Sequence, residues 1–284
     1  MKQIYFGSHD WENAKKVFDF YKQETNCFDK KGHLVVRPYY VVAMGDDMVS
    51  AFYAVQIVNT AYKQFGIKPR LLCVGGLDAL SKYMNRLEDG TVLSYGHKLC
   101  WVARQLGNTC GTILDKGNNI GANIKEITDY LLYNNDSSAP VIFCLPKRLS
   151  KHVERTVAYG TMHFPRTIPL DAYYYVPEES LREICKLYNG KAIADGLPLL
   201  SEAAALYDSM NRYEGIYMAP MDKLIDKDVV RAGEELVRKY PVKLSRNPFS
   251  APVQFCKIYF GVRNNRKAIA ENLQKRISEW KNLV

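Results

Sequence analysis

The chain has 284 residues and a mass of 32.5 kDa. With 47% hydrophobic, 24% charged and 12% aromatic residues it has the balance of a soluble globular protein, which excludes a disordered or fibrous one. The 39 Lys and Arg against 30 Asp and Glu give a formal charge of +9, but the cations are scattered rather than gathered into the contiguous stripe that nucleic acid selects, so no nucleic-acid partner is expected.

Along residues 1–37, Trp11, Ala14, Val17, Phe18 and Tyr21 fall at helical spacing, which predicts a helix with one buried face and Lys15, Lys16 and Lys22 in water. Cys27 to Gly32 reads as a turn. Tyr39 to Met44 is an unbroken apolar strand, followed by a helix over Met48 to Phe65 with apolar residues on nearly every face; Gly66 ends it. A strand over Arg70 to Val74, a helix over Leu77 to Arg86 and another over His97 to Leu106 come next. Thr112 to Leu114 is a brief strand. Ile120, Ile124, Ile127 and Leu131 define one face of a helix ending at Tyr133. A strand over Val141 to Leu145, a helix over Leu149 to Tyr159 and a tyrosine-rich strand over Leu170 to Val176 complete the alternation.

Strands separated by helices of this length need crossover connections, and such crossovers build a parallel sheet covered on both faces. The expected fold is therefore α/β, doubly wound and mainly parallel, over residues 38–177. Beyond Pro177 the texture is mostly helical, over Glu178 to Tyr188, Leu199 to Arg212, Lys227 to Lys239 and Lys267 to Leu283, with Phe255 to Val262 as an added edge strand. Residues 178–284 are expected to form a helical C-terminal lobe, and residues 1–37 a helical extension.

Apolar runs such as Tyr39 to Met44 and Val141 to Leu145 reach six and five residues, far below the roughly 20 needed to cross a bilayer. Asp10 and Glu12 stand where a signal peptide would be apolar. The seven cysteines are an odd number, without CxxC spacing, and the five histidines lack HExxH or HxH spacing. These features predict buried thiols in a reducing compartment, a cytoplasmic location and no metal site.

Open parallel sheets bind ligands beyond the carboxyl ends of their strands, and four segments lie there. Gly45, Asp46 and Asp47 follow the first strand; the aspartates are helix caps or ligand contacts. Gly75, Gly76, Leu77 and Asp78 follow the second, where paired glycines admit either a ligand or another backbone. They lack the GxGxxG and GxxxxGK[ST] patterns of a dinucleotide fold or a P-loop. Asp115 to Asn123, with Asn118, Asn119 and Asn123, follows the third; one asparagine can cap the helix, whereas Asn123 lies too far inside it to do so. Pro146, Lys147, Arg148, Leu149, Ser150 and Lys151 follow the fourth, where cations at a helix start attract a phosphate or carboxylate unless they simply face solvent.

Taken together, Gly45–Asp46, Val74–Gly75–Gly76, the Asp115 to Asn123 segment and Pro146 before a basic helix resemble the YdcF-like branch of the bacterial SanA/ElyC/YdcF family, over about residues 38–160. The resemblance implies a Rossmann-like domain with a helical lobe and a cleft at the strand ends. It also implies S-adenosylmethionine as a candidate cofactor, and it sets this anchor-free chain with the soluble branch. The family commonly has an acidic residue where this chain has Ala122, and another where it has Tyr95, Gly96, His97 and Lys98, which weakens the expectation of a family acid/base pair.

Three functions follow as expectations. The first is a small-molecule binder or transferase of nucleotide or S-adenosylmethionine type, using Asp46, Asp78 or Asp115 for ribose hydroxyls, the three glycines for close approach, the asparagines for polar groups, and Lys147 and Lys151 for an anion. The second is a hydrolase or phosphoryl-transfer enzyme acting on a phosphate-containing, envelope-related metabolite, with Asp46 and Asp47 as metal or base carboxylates. The third is a partner-docking helical surface over Leu199 to Leu283, which packing of those helices as a lid over the strand ends, walled by Tyr173, Tyr174, Tyr175 and Tyr213, would displace.

Overall fold

The computed structural model describes residues 8–20, 25–45, 48–77, 91–108, 111–159, 168–177, 227–240 and 273–284, with further helical positions at 200, 203, 204, 207 and 271. The strands are β1 (Tyr40–Met44), β2 (Arg70–Val74), β3 (Gly111–Leu114), β4 (Val141–Cys144) and β5 (Ala172–Tyr175), and the helices α1 (Ser8–Phe20), α2 (Val49–Phe65), α3 (Tyr95–Gln105), α4 (Ile120–Tyr133), α5 (Lys147–Tyr159) and α6 (Lys227–Lys239). The five strands form one parallel sheet in the order β3-β2-β1-β4-β5. The chain enters at the centre, winds outward through β2 and β3, then crosses back to β4. The order therefore reverses between β1 and β4, the point where a doubly wound sheet opens a crevice at its carboxyl edge.

Alternation along β1 explains how the sheet is covered. Val41 and Ala43 enter a core shared with α2, α3 and the helix at 273–281, while Tyr40, Val42 and Met44 enter one shared with α4 and α5. All five β1 residues are buried, as an apolar run with no polar position requires. Each fully buried Val or Leu contributes about 1.5–3 kcal/mol. Helix α2 is buried on nearly all faces because the 273–281 helix packs on its outer side, Trp280 stacking on Phe52 at 5.2 Å between ring centroids. The apolar stripe of that last helix is thus spent on the flank of the sheet. Cys27, Cys73, Cys100 and Cys144 are buried free thiols.

Two boundaries moved for identifiable reasons. Helix α3 starts at Tyr95, because the Ser94 hydroxyl accepts the His97 N–H at 3.2 Å and caps the helix there. Helix α5 starts at Lys147, directly after Pro146, whose carbonyl accepts the Leu149 N–H at 3.0 Å. The helices expected over Leu77 to Arg86 and Glu178 to Tyr188, and the strand over Phe255 to Val262, fall almost wholly outside the described residues.

The first segment of the chain serves the sheet and the C-terminal segment together. Asn26 exchanges hydrogen bonds with the Tyr174 backbone, and the Thr25 hydroxyl with that of Val176, covering the free edge of β5. Helix α1 pairs with α6, where the buried Asp10 carboxylate accepts hydrogen bonds from Lys239 Nζ at 2.6 Å and the Tyr240 hydroxyl at 2.8 Å. Burial raises the Asp10 pKa, but those two donors outweigh it and leave the carboxyl below its ordinary value. A carboxyl depressed on folding contributes stability that is present above its unfolded pKa and lost as the pH falls through the folded value. Asp10→Asn is therefore expected to destabilise the protein at neutral pH by about 1–3 kcal/mol, and by progressively less below pH ~4. Urea unfolding of both proteins across that range checks this, and equal midpoints at neutral pH would remove Asp10 from the account.

Candidate functional site

The carboxyl ends of β1, β2 and β3 are tied to one another by their own turns. The Gly45 N–H donates to Val74 O at 3.2 Å, Gly75 N–H to Leu114 O at 2.8 Å, and Gly76 N–H to Gly117 O at 2.6 Å. Gly76 must be glycine because a Cβ there would stand 2.5 Å from the carbonyl oxygens of both Asp115 and Gly117. Gly45 has φ +101°, and a Cβ on it would meet Leu149 Cδ1 at 2.7 Å. Of the two uses open to the double glycine, the structure shows close approach of a second backbone.

The segment after β3 is organised by α4. The Asn119 side chain caps the helix by accepting the Ala122 N–H at 2.9 Å, and its Nδ2 donates to Asn118 Oδ1 at 3.0 Å. The Lys116 and Gly117 N–H groups both donate to the Glu126 carboxylate, at 3.1 and 2.9 Å, so an internal anion holds the loop against the second turn of α4. The Ala122 N–H is capped and the Asn123 N–H reaches Asn119 O. That leaves Ile120 and Gly121 as the first-turn donors with no partner inside the helix. Asn123 is 6% exposed, and its Oδ1 is buried with no hydrogen-bond partner among the described residues. This oxygen packs against Gly117, where a Cβ would lie 2.3 Å from it.

These turns enclose a cleft of about 160 Å³. Of the residues the sequence nominated, Gly45, Gly75, Gly76, Asn118, Asn119 and Asn123 all line it. Asp46, Asp47 and Asp78 lie outside the described residues. Helix α5 begins at the end of β4 and brings Leu149 into the lining, but the side chains of Lys147 and Lys151 are outside the description. Asp115 is exposed on the neighbouring rim, its Oδ2 at 3.5 Å from His97 Nδ1, which is also 2.7 Å from Ser94 Oγ. Serine and aspartate face the same ring nitrogen, whereas a nucleophile–base relay needs them on opposite ones.

Tyr95, Gly117, Ile120 and Leu149 complete the wall; the last three lie within the candidate segments without having been singled out, and Tyr95 lies outside them. The missed signal for Tyr95 was the Ser94 cap, which starts α3 at the strand ends and so points its first residue there. The tyrosine walls expected from β5 are not found. Tyr174 stacks on Phe143 in the core, and Tyr175 packs edge-on against Tyr53 and Phe28; Tyr213 lies outside the described residues. Among the described residues, none of the C-terminal segment reaches the cleft, so the expected lid is not seen there.

Fold and cleft together define a doubly wound, parallel α/β protein with a glycine- and asparagine-lined crevice at its carboxyl edge. Comparison of the chain with protein-family models, with curated proteins and with solved structures finds no match. No helix among the described residues is long and apolar enough to cross a membrane, and no cluster of metal-binding side chains occurs among them. Because both obstacles to a Gly76 side chain are backbone carbonyls, Gly76→Ala is expected to cost about 1–3 kcal/mol and to displace the Asp115–Gly117 turn. Chemical denaturation and amide shifts of Gly117 and Asn123 check this, and an unperturbed turn would show that the contact is loose.

Proposed function

We propose that this protein binds a small polar or anionic ligand, of nucleotide or S-adenosylmethionine type, in the cleft at the carboxyl ends of the parallel strands, and that it does so in the cytoplasm. The resemblance to the YdcF-like branch suggested the ligand type, and the cleft supports a bound polar molecule on physical grounds of its own. The observation that carries it is Asn123. A buried carboxamide oxygen without a partner costs about 1–3 kcal/mol, and a ligand that donates to it recovers that cost. The first turn of α4 adds unpaired amides and the positive end of a helix dipole, which favour negative charge nearby. Gly45, Gly75 and Gly76 present to the cleft backbone that is already hydrogen-bonded.

A second reading, hydrolysis or phosphoryl transfer, has one supporting observation: His97 stands at the rim with Asp115 beside its Nδ1, which orients the imidazole as a base would be oriented. Turnover of generic phosphate esters that is lost in both His97→Gln and Asp115→Asn would promote it.

Binding is tested by mass spectrometry of the small molecules released when purified protein is denatured, and by calorimetry with S-adenosylmethionine and common nucleotides. The expected result is a released polar compound or saturable heat; silence in both at millimolar ligand would sink the proposal. Asn123→Leu gives a signature that a merely structural asparagine would not. Removing the orphaned oxygen is expected to leave the ligand-free protein as stable as before or up to about 2 kcal/mol more stable, while weakening ligand binding at least about tenfold.

A further inference from the structure

The part of the cleft walled by the described residues is smaller than a whole nucleotide needs. Its volume of about 160 Å³ compares with the roughly 300–1,000 Å³ of pockets that enclose a complete drug-sized ligand. The described residues bury only part of such a molecule, and their lining says which part. Asn123 Oδ1 calls for a hydrogen-bond donor. That oxygen lies in the first turn of α4, at the positive end of the helix, where an ammonium donor is disfavoured and a neutral hydroxyl is not. The first-turn amide of Ile120, a lining residue, is directed out of the same helix end and suits an anion, with the Gly121 amide behind it adding to the positive end of the helix.

Five of the neighbouring loop amides do not compete for that anion. Those of Lys116 and Gly117 are already taken by Glu126, and those of Gly45, Gly75 and Gly76 by adjoining strand ends. Negative charge is therefore steered to the first turn of α4, beside the asparagine that needs a hydroxyl. Among the described residues Tyr95 is the single aromatic ring in the lining, so they offer no sandwich of two rings for a planar base.

We propose that the group this cleft buries is a phosphorylated sugar: a neutral hydroxyl donating to Asn123 Oδ1 and the phosphate at the start of α4, with any base or other appendage left outside. The inference rests on the binding function proposed above and narrows it to a substrate class. Free sugar phosphates and the sugar-phosphate portion of a nucleotide share this chemistry.

Calorimetry of the full chain with ribose 5-phosphate, AMP, adenosine, inorganic phosphate and S-adenosylmethionine separates the possibilities. Ribose 5-phosphate is expected to bind within about tenfold of AMP, with adenosine, S-adenosylmethionine and inorganic phosphate each about 100-fold or more weaker. Ribose 5-phosphate binding more tightly than AMP would identify a free sugar phosphate as the natural class and supports the proposal equally. Asn123→Asp, which sets a carboxylate beside the phosphate, is expected to weaken ribose 5-phosphate and AMP alike by at least about tenfold. Adenosine or S-adenosylmethionine binding as tightly as AMP, or AMP binding without ribose 5-phosphate, would overturn this inference while leaving a polar-ligand function intact. Silence from the whole panel would remove both.

Discussion

The constraint on which the site depends is the contact between backbones at the carboxyl edge of the sheet. Gly76 lies so close to the Asp115 and Gly117 carbonyls that a single methyl group would not fit, the turns after β1 and β2 each hydrogen-bond to the next strand end or loop, and the turn after β3 is held by Glu126 of α4. Three loops far apart in the chain are thereby fixed as one rim. A rim built from saturated backbone hydrogen bonds has little freedom to lose when a ligand arrives, so less of the interaction energy is consumed in ordering the protein. The buried strands beneath it supply the rigidity, since β1 is covered on both faces by close-packed side chains that deform only at a cost.

Gly117 links that constraint to the chemistry. Its carbonyl accepts from Gly76, its N–H donates to Glu126, and its bare Cα faces Asn123 Oδ1. The residue that ties the β2 and β3 turns together also leaves space for the orphaned oxygen. A side chain at this position would collide with Asn123. Polar groups left unsatisfied inside an otherwise well-bonded structure tend to mark function, because folding alone gives no reason to retain them.

The sheet was legible because its signal is physical and local. Tyr40 to Met44 and Val141 to Cys144 are buried on both faces and so read as unbroken apolar runs, and the Ile120, Ile124, Ile127 and Leu131 repeat follows from one helix face meeting the sheet. The placement of Gly45, Gly75, Gly76 and the asparagines at one rim followed from topology rather than from any motif. What sequence did not reveal depended on long-range contact. Whether Gly76 admits a ligand or a backbone is decided by where β3 ends, forty residues downstream. The role of Glu126 is set by a loop folding back onto its own helix. The tyrosines of β5 looked like pocket walls because composition does not say which way a strand faces.

Charge distribution carries the synthesis one step further. In a doubly wound sheet every helix that follows a strand begins at the carboxyl edge, so α2, α3, α4 and α5 all direct the positive ends of their dipoles toward that side. Summed with a formal charge of +9, this favours anions there but does not single out a position. Position comes from what is already occupied. Glu126 neutralises the loop amides before α4, and Asn119 caps one amide of the first turn, leaving two backbone donors beside one buried acceptor. Donors and an acceptor within a single helical turn suit a ligand that carries both a negative charge and a hydroxyl, and they discriminate against one that carries charge alone.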